Sequence, residues 1–135
     1  MSRYEDIISK RFNQLVGVVN TVEDLNEIHN LIEDNKGKFL FEGLAYSHLI
    51  SLLGDEKSDF KSIALAYFIV AEAMDNPERR YEYYTVAADY FDGLVGESRL
   101  FVSAVRKREY ALFLINLNEA INKEQFRRAN NELLF

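Results

Sequence analysis

"FKSIALAYFIVAEAM", Phe60–Met74, decides the fold. Placed on a helical wheel at about 100° per residue, only Lys61, Ser62 and Glu72 interrupt an apolar circumference. A helix that is hydrophobic all round is buried all round, so this stretch belongs at the centre of a helical bundle. The rival reading is a seam between two copies of the chain. The longest apolar run, Ile63 to Ala71, is less than half of the about 20 residues a membrane span needs, so no membrane insertion is expected.

Working outward, boundary signals bracket this helix on both sides. Upstream, "GDEKSD" forms a polar turn after Gly54, and Ser58 or Asp59 can cap the helix start. Downstream, "DNP" stops it, because proline lacks a donor and disfavours a helical residue before it. Pro77 then suits the first turn of a fifth helix, expected to run to Val95. Before the central helix, Tyr4, Ile7, Ile8, Phe12, Leu15, Val16 and Val19 recur at helical spacing, which predicts a first helix over about 3–19. Thr21 can cap a second, with Val22, Leu25, Ile28, Leu31 and Ile32 as its apolar stripe. Gly37 suits a left-handed helix end, and a third helix is expected over about 39–53. Ser98 can cap a sixth helix over about 99–121. The piece Glu124–Leu134 either extends it or forms a seventh, with Asn116, Asn118 and Asn122 at the junction. The expectation is all-α: one domain, residues 1–135, folded as a single compact bundle of six or seven helices around the helix at about 60–74.

The fifth helix, "RRYEYYTVAADYFDG", crowds aromatics into a short span. Tyr81, Tyr84, Ala87, Ala88, Phe91 and Val95 share one face and read as core. Tyr83 and Tyr90, seven apart, stack on the flank beside Leu94, with Glu82 and Asp89 as an acidic rim. Tyrosine suits a half-wet position, ring buried and hydroxyl free for water or a partner. Either another helix covers this flank, or it is an exposed groove wall. The hairpin "IALAYFIVAEAMDNPERRYEYYTVAADYF" alternates small residues (Ala64, Ala71, Ala87, Ala88) with aromatic fillers (Tyr67, Tyr84, Phe91). Over residues 60–93 it resembles the helical hairpins of tetratricopeptide-like proteins and, less closely, microtubule-interacting-and-trafficking bundles. That resemblance implies a scaffold that binds peptides or proteins.

Composition narrows the chemistry. The chain has 135 residues, 48% hydrophobic and 28% charged, which is globular rather than disordered. One proline and six glycines favour helices joined by short turns. The absence of cysteine excludes disulfides, thiolate metal sites and cysteine catalysis, and fits a reducing compartment. The N-terminal stretch lacks the apolar segment of a secretory signal, so a cytoplasmic location is expected. Of the two histidines, His48 is expected partly buried and hydrogen-bonded, and His29 solvent-facing. Neither belongs to a Glu-x-x-His pair, so no metal site is expected. No phosphate-binding glycine loop or nucleophile elbow occurs, so neither a cofactor nor a catalytic residue is assigned.

The net charge of −6 argues against non-specific binding to a polyanion. The charge is uneven: residues 1–98 carry twice as many acids as bases, whereas 99–135 carry more bases than acids. The leading expectation is a non-catalytic protein–protein interaction module, a small adaptor, regulator or inhibitor-like protein. Its contact site would be Tyr83, Tyr90 and Leu94 rimmed by Glu82 and Asp89, with a homodimer as a further option. The alternative is a nucleic-acid-associated factor using Arg99, Arg106, Lys107, Arg127 and Arg128 against phosphates. Those bases could instead pair with the chain's own acidic half.

Overall fold

The structure, a computed structural model, describes residues 2–37 and 40–134, with the side chains of 133 and 134 left out. Six helices follow in order: α1 (Arg3–Val18), α2 (Val22–Asp34), α3 (Phe41–Leu53), α4 (Phe60–Ala73), α5 (Pro77–Asp92) and α6 (Ser98–Leu134). The described residues contain no strand, and the architecture is the all-α bundle expected from the sequence. The expected start of the third helix at Phe39 lies outside the described residues.

Local signals set most of the ends. Ser2, Asp59 and Asn76 each accept a hydrogen bond from the backbone N–H three residues on, capping α1, α4 and α5. Thr21 and Asp24 form a reciprocal capping box at the start of α2. Gly37, at φ 81°, and Gly96, at φ 83°, take the left-handed turns that bulkier residues avoid. Two expected boundaries move. α5 stops at Asp92 rather than Val95: Gly93 caps it, and Val95 is fully exposed instead of lying on the core face. α6 is a single helix of 37 residues, about 55 Å long, and no seventh helix forms among the described residues. No Gly or Pro interrupts it. An interior asparagine costs well under about 1 kcal/mol, and the pairs from Arg127 and Arg128 to Glu124 support the outer turns.

α4 is the axis of the bundle. Nine of its residues, Ile63 to Ala66 and Phe68 to Glu72, are buried by the chain's own helices. Each large apolar side chain so buried contributes about 1.5–3 kcal/mol. Phe68 meets Tyr84 of α5 edge-on at 5.1 Å, while Phe12 of α1 packs on Phe41 of α3 at 5.3 Å. The small residues Ala64, Ala71, Ala87 and Ala88 are all buried between α4 and α5, where their size lets the helices approach. α1 buries only Phe12 and Val16 fully, leaving Tyr4 and Ile7 of its apolar stripe exposed.

Glu72 is the one charge on α4 that is buried, at 5% exposure. A carboxylate removed from water needs partners to remain ionised. Three other helices supply them. His29 of α2 donates from Nδ1 to Oε2 at 2.5 Å, the Tyr84 hydroxyl donates to Oε1 at 2.8 Å, and Nζ of Lys107 on α6 lies 3.1 Å from Oε1. Arg80 closes an outer layer: its Nη2 donates to the Tyr84 oxygen at 3.3 Å and its guanidinium lies 5.8 Å from that ring's centroid. His29 therefore faces Glu72, not open solvent as its sequence position suggested. Its partner is remote in sequence and supplied by packing. Burial pushes the Glu72 carboxyl up, but the His29 hydrogen bond, the Lys107 charge and the Tyr84 hydroxyl outweigh it and hold the group at about 2. Burial first, and the Glu72 charge second, drive the Tyr84 phenol far above its ordinary value.

A stability profile follows. The folded-state value of Glu72 lies below its ordinary value of 4.5, so its contribution is complete above about pH 4.5 and is lost as pH falls towards 2. The loss amounts to about 3 kcal/mol. Urea unfolding of wild type and Glu72→Gln should show a gap that narrows by about that much over the same window. A gap independent of pH would contradict the ionised state.

Candidate interaction surface

The flank of Tyr83 and Tyr90 is covered in part by α4. Tyr67, the residue of α4 facing this side, lies 6.0 Å from Tyr83 and 5.9 Å from Tyr90, ring centroid to centroid. Phe60, at the start of α4, lies 5.8 Å from Tyr90 on its other side. Such spacings are those of favourable aromatic pairs. The four rings form a ladder across α4 and α5, each of the three tyrosines half-buried and Phe60 exposed. Leu94 is half-buried against the core, while Glu82 and Asp89 are exposed. Tyr83 and Tyr90 thus lie on one ladder, with Glu82, Asp89 and Leu94 near them in the chain; its other rungs are Tyr67 between the two, read from the sequence only as a hairpin filler, and Phe60 beyond Tyr90. Their signal was the spacing on α4, where 60 and 67 are seven apart, as are 83 and 90.

The ladder leads into a groove of about 450 Å³ between α3 and α5. Leu40, Gly43, Tyr46, Met74 and Tyr83 form its apolar lining, and Glu42 and Arg79 its charged edge, paired at 3.5 Å. α3 explains why this groove is open. Phe41, Ala45 and Leu49 turn inward and are buried, yet Tyr46, Ile50 and Leu53 continue an apolar stripe on the outward side, with Leu40 before them. Sequence alone left α3 without an assigned outer face. Burial raises the Tyr67 hydroxyl above its usual range, with Tyr90 and Tyr83 adding to it, and burial likewise raises Tyr83. Both phenols are therefore neutral donors at physiological pH. His48, also on α3, is half-buried and held below its usual value by desolvation; among the described residues its ring makes no hydrogen bond, contrary to expectation.

The basic residues take different positions. Arg99 donates to Glu23 at 2.6 Å, Lys107 turns inward to Glu72, and Arg127 and Arg128 both bind Glu124 within α6. Four of the five candidate phosphate contacts are thus paired with the chain's own acids. Arg106 is exposed and in no ion pair among the described residues. Among the same residues, no three His, Cys, Asp or Glu side chains gather as metal ligands, and no helix is long and apolar enough to cross a membrane.

No family model, curated protein or solved structure matches the chain.

The geometry separates ladder from groove by stability. Tyr67→Ala removes a ring shared by Tyr83 and Tyr90 and should cost about 2–3 kcal/mol. Tyr46→Ala, at an exposed position, should change stability by less than about 0.5 kcal/mol. Urea denaturation of the two variants checks the contrast; equal losses would mean that both rings are core.

Proposed function

We propose that the chain is a non-catalytic interaction module whose partner is a protein or peptide segment bound along the α3–α5 groove and the aromatic ladder. One observation carries the reading: an apolar stripe on α3, Leu40, Tyr46, Ile50 and Leu53, runs exposed beside a groove walled by Tyr83. An extended apolar surface joined to a concavity is the kind of feature that marks binding sites. Tyrosine suits such a role, giving broad contact area at low entropic cost and a hydroxyl for one directed hydrogen bond. Glu42, Arg79, Glu82 and Asp89 form a polar rim, which sets orientation and association rate more than affinity. The resemblance of the α4–α5 hairpin to peptide-binding helical hairpins points the same way. The ion pairing of Arg99, Lys107, Arg127 and Arg128 favours this reading over contact with nucleic acid.

Gly43 offers a clean test. It lies in α3 on the groove wall, and a Cβ built there meets nothing within 4 Å. Gly43→Leu should therefore fill the groove while leaving the fold as stable as wild type or up to about 1 kcal/mol more so. Affinity capture from extracts of the native source should lose the partner with this variant and keep it with Glu56→Gln, in the remote turn before α4. Equal capture by both proteins would contradict the reading, as would a salt-dependent shift of labelled DNA or RNA abolished by Arg106→Glu.

A further inference from the structure

α6 outruns the bundle. Leu100, Ala104 and Ala111 are its buried residues, and everything from Asn116 to Glu132 is exposed. The outward face is not polar. Val102, Tyr110, Phe113, Leu117 and Ile121 lie on it, each between 42 and 59% exposed. Helices in proteins draw most of their stability from a packed apolar face. Here that face stays exposed among the described residues.

Its spacing fits a helix–helix seam. Ser103, Tyr110, Leu117 and Glu124 recur every seven residues, as do Arg106, Phe113, Ala120 and Arg127, with three residues from the first set to the second. These are the two core positions of a heptad. In a parallel pair, each residue would meet its own copy: Tyr110 on Tyr110, Arg106 on Arg106, Glu124 on Glu124. In an antiparallel pair, the first set meets the second. Tyr110 then packs on Ala120, Phe113 on Leu117, and each contact occurs twice by symmetry. Arg106 falls opposite Glu124 at both ends of this apolar centre. Glu109, just before Tyr110, flanks Lys123, just before Glu124. Tyr110 thus meets the small Ala120, and the cation Arg106 meets Glu124, the acid that Arg127 and Arg128 contact on their own helix. Tyr110 and Phe113 already stack at 6.4 Å, so the aromatic part of the seam is formed in advance.

We infer that the occupant of this face is a second copy of the chain, held by antiparallel pairing of α6 with α6 over residues 102–128. A groove of about 390 Å³ between α2 and α6 lies in line with the seam. Val22, Val102, Ser103 and Arg106 are among its lining residues, and it receives the turns of the second copy that follow Glu124. Arg106, exposed in the single chain, gains the acid it lacks there. The paired region spans about 40 Å. This assembly uses a face other than the α3–α5 groove, and it stands or falls independently of the function proposed above.

Sedimentation equilibrium of the full chain tests it. Wild type should be dimeric, and Leu117→Glu should be monomeric with unchanged helicity by circular dichroism, because Leu117 is 43% exposed and lies outside the core cluster. Arg106→Glu should weaken the dimer by about tenfold or more, since it sets acid against acid at both ends. The orientation is read by disulfide trapping, which the cysteine-free sequence makes unambiguous. A mixture of Glu109→Cys and Lys123→Cys chains should give the mixed dimer in preference to either same-site dimer. A wild-type monomer at every concentration would overturn the proposal. So would a dimer that survives Leu117→Glu, or same-site bridges in place of mixed ones.

Discussion

Glu72 places a negative charge inside the most apolar helix of the bundle, and the arrangement of the other helices answers it. A carboxylate 5% exposed cannot remain ionised without donors at close range. His29, Tyr84 and Lys107 come from three separate helices and converge on its two oxygens. Breaking a buried pair costs far more than a surface ion pair contributes, so this carboxylate ties α2, α5 and α6 to α4. Apolar packing supplies most of the energy of the bundle, but greasy faces slide and rotate at low cost; a buried ion does not.

That arrangement determines which apolar surface is left over. With Lys107 turned towards Glu72, an adjoining flank of α6 carries Tyr110, Phe113 and Leu117 into solvent. With Tyr84 drawn inward, Tyr83 and Tyr90 fall on the flank, where Tyr67 and Phe60 complete a ladder. α3 lies at the edge of this layer, packed on α4 along one side, and keeps Tyr46, Ile50 and Leu53 on the other. Two apolar faces thus stay exposed among the described residues. One is a groove with a polar rim, suited to a heterologous partner. The other is a self-complementary helix face, suited to another copy. A small helical protein with both can present two identical grooves from a single dimer, which raises avidity for a repeated target.

Much of the fold was legible because its signals are local. Thr21 and Asp59 cap the helices they precede, Pro77 opens α5, Gly37 takes the left-handed turn, and the nearly all-apolar wheel of Phe60–Met74 places α4 at the centre. The misses were non-local or depended on an absence. Nothing near His29 in sequence indicates Glu72, although a lone glutamate on an otherwise apolar wheel signals that some cation or donor must reach it. The continuity of α6 through Asn116, Asn118 and Asn122 follows from the lack of any Gly or Pro, a stronger criterion than asparagine's mild helix penalty. Periodicity assigns Val95 to the core because it cannot register that Gly93 has already ended the helix. Of the candidate surface, Tyr83 and Tyr90 were visible as an excess over a one-sided helix. The α3 stripe was not, because its helix is apolar on both sides and periodicity alone does not say which side finds a partner.

The ionisation of Glu72 is the point on which this account turns, and it can be read directly. A carbon-13 NMR titration of its side-chain carboxyl in the folded protein should show no protonation between pH 7 and about 3, since the group is held at about 2. A carboxyl resonance that titrates at or above 4.5 would mean that the partners do not compensate burial, and that the four helices are not locked together by this charge.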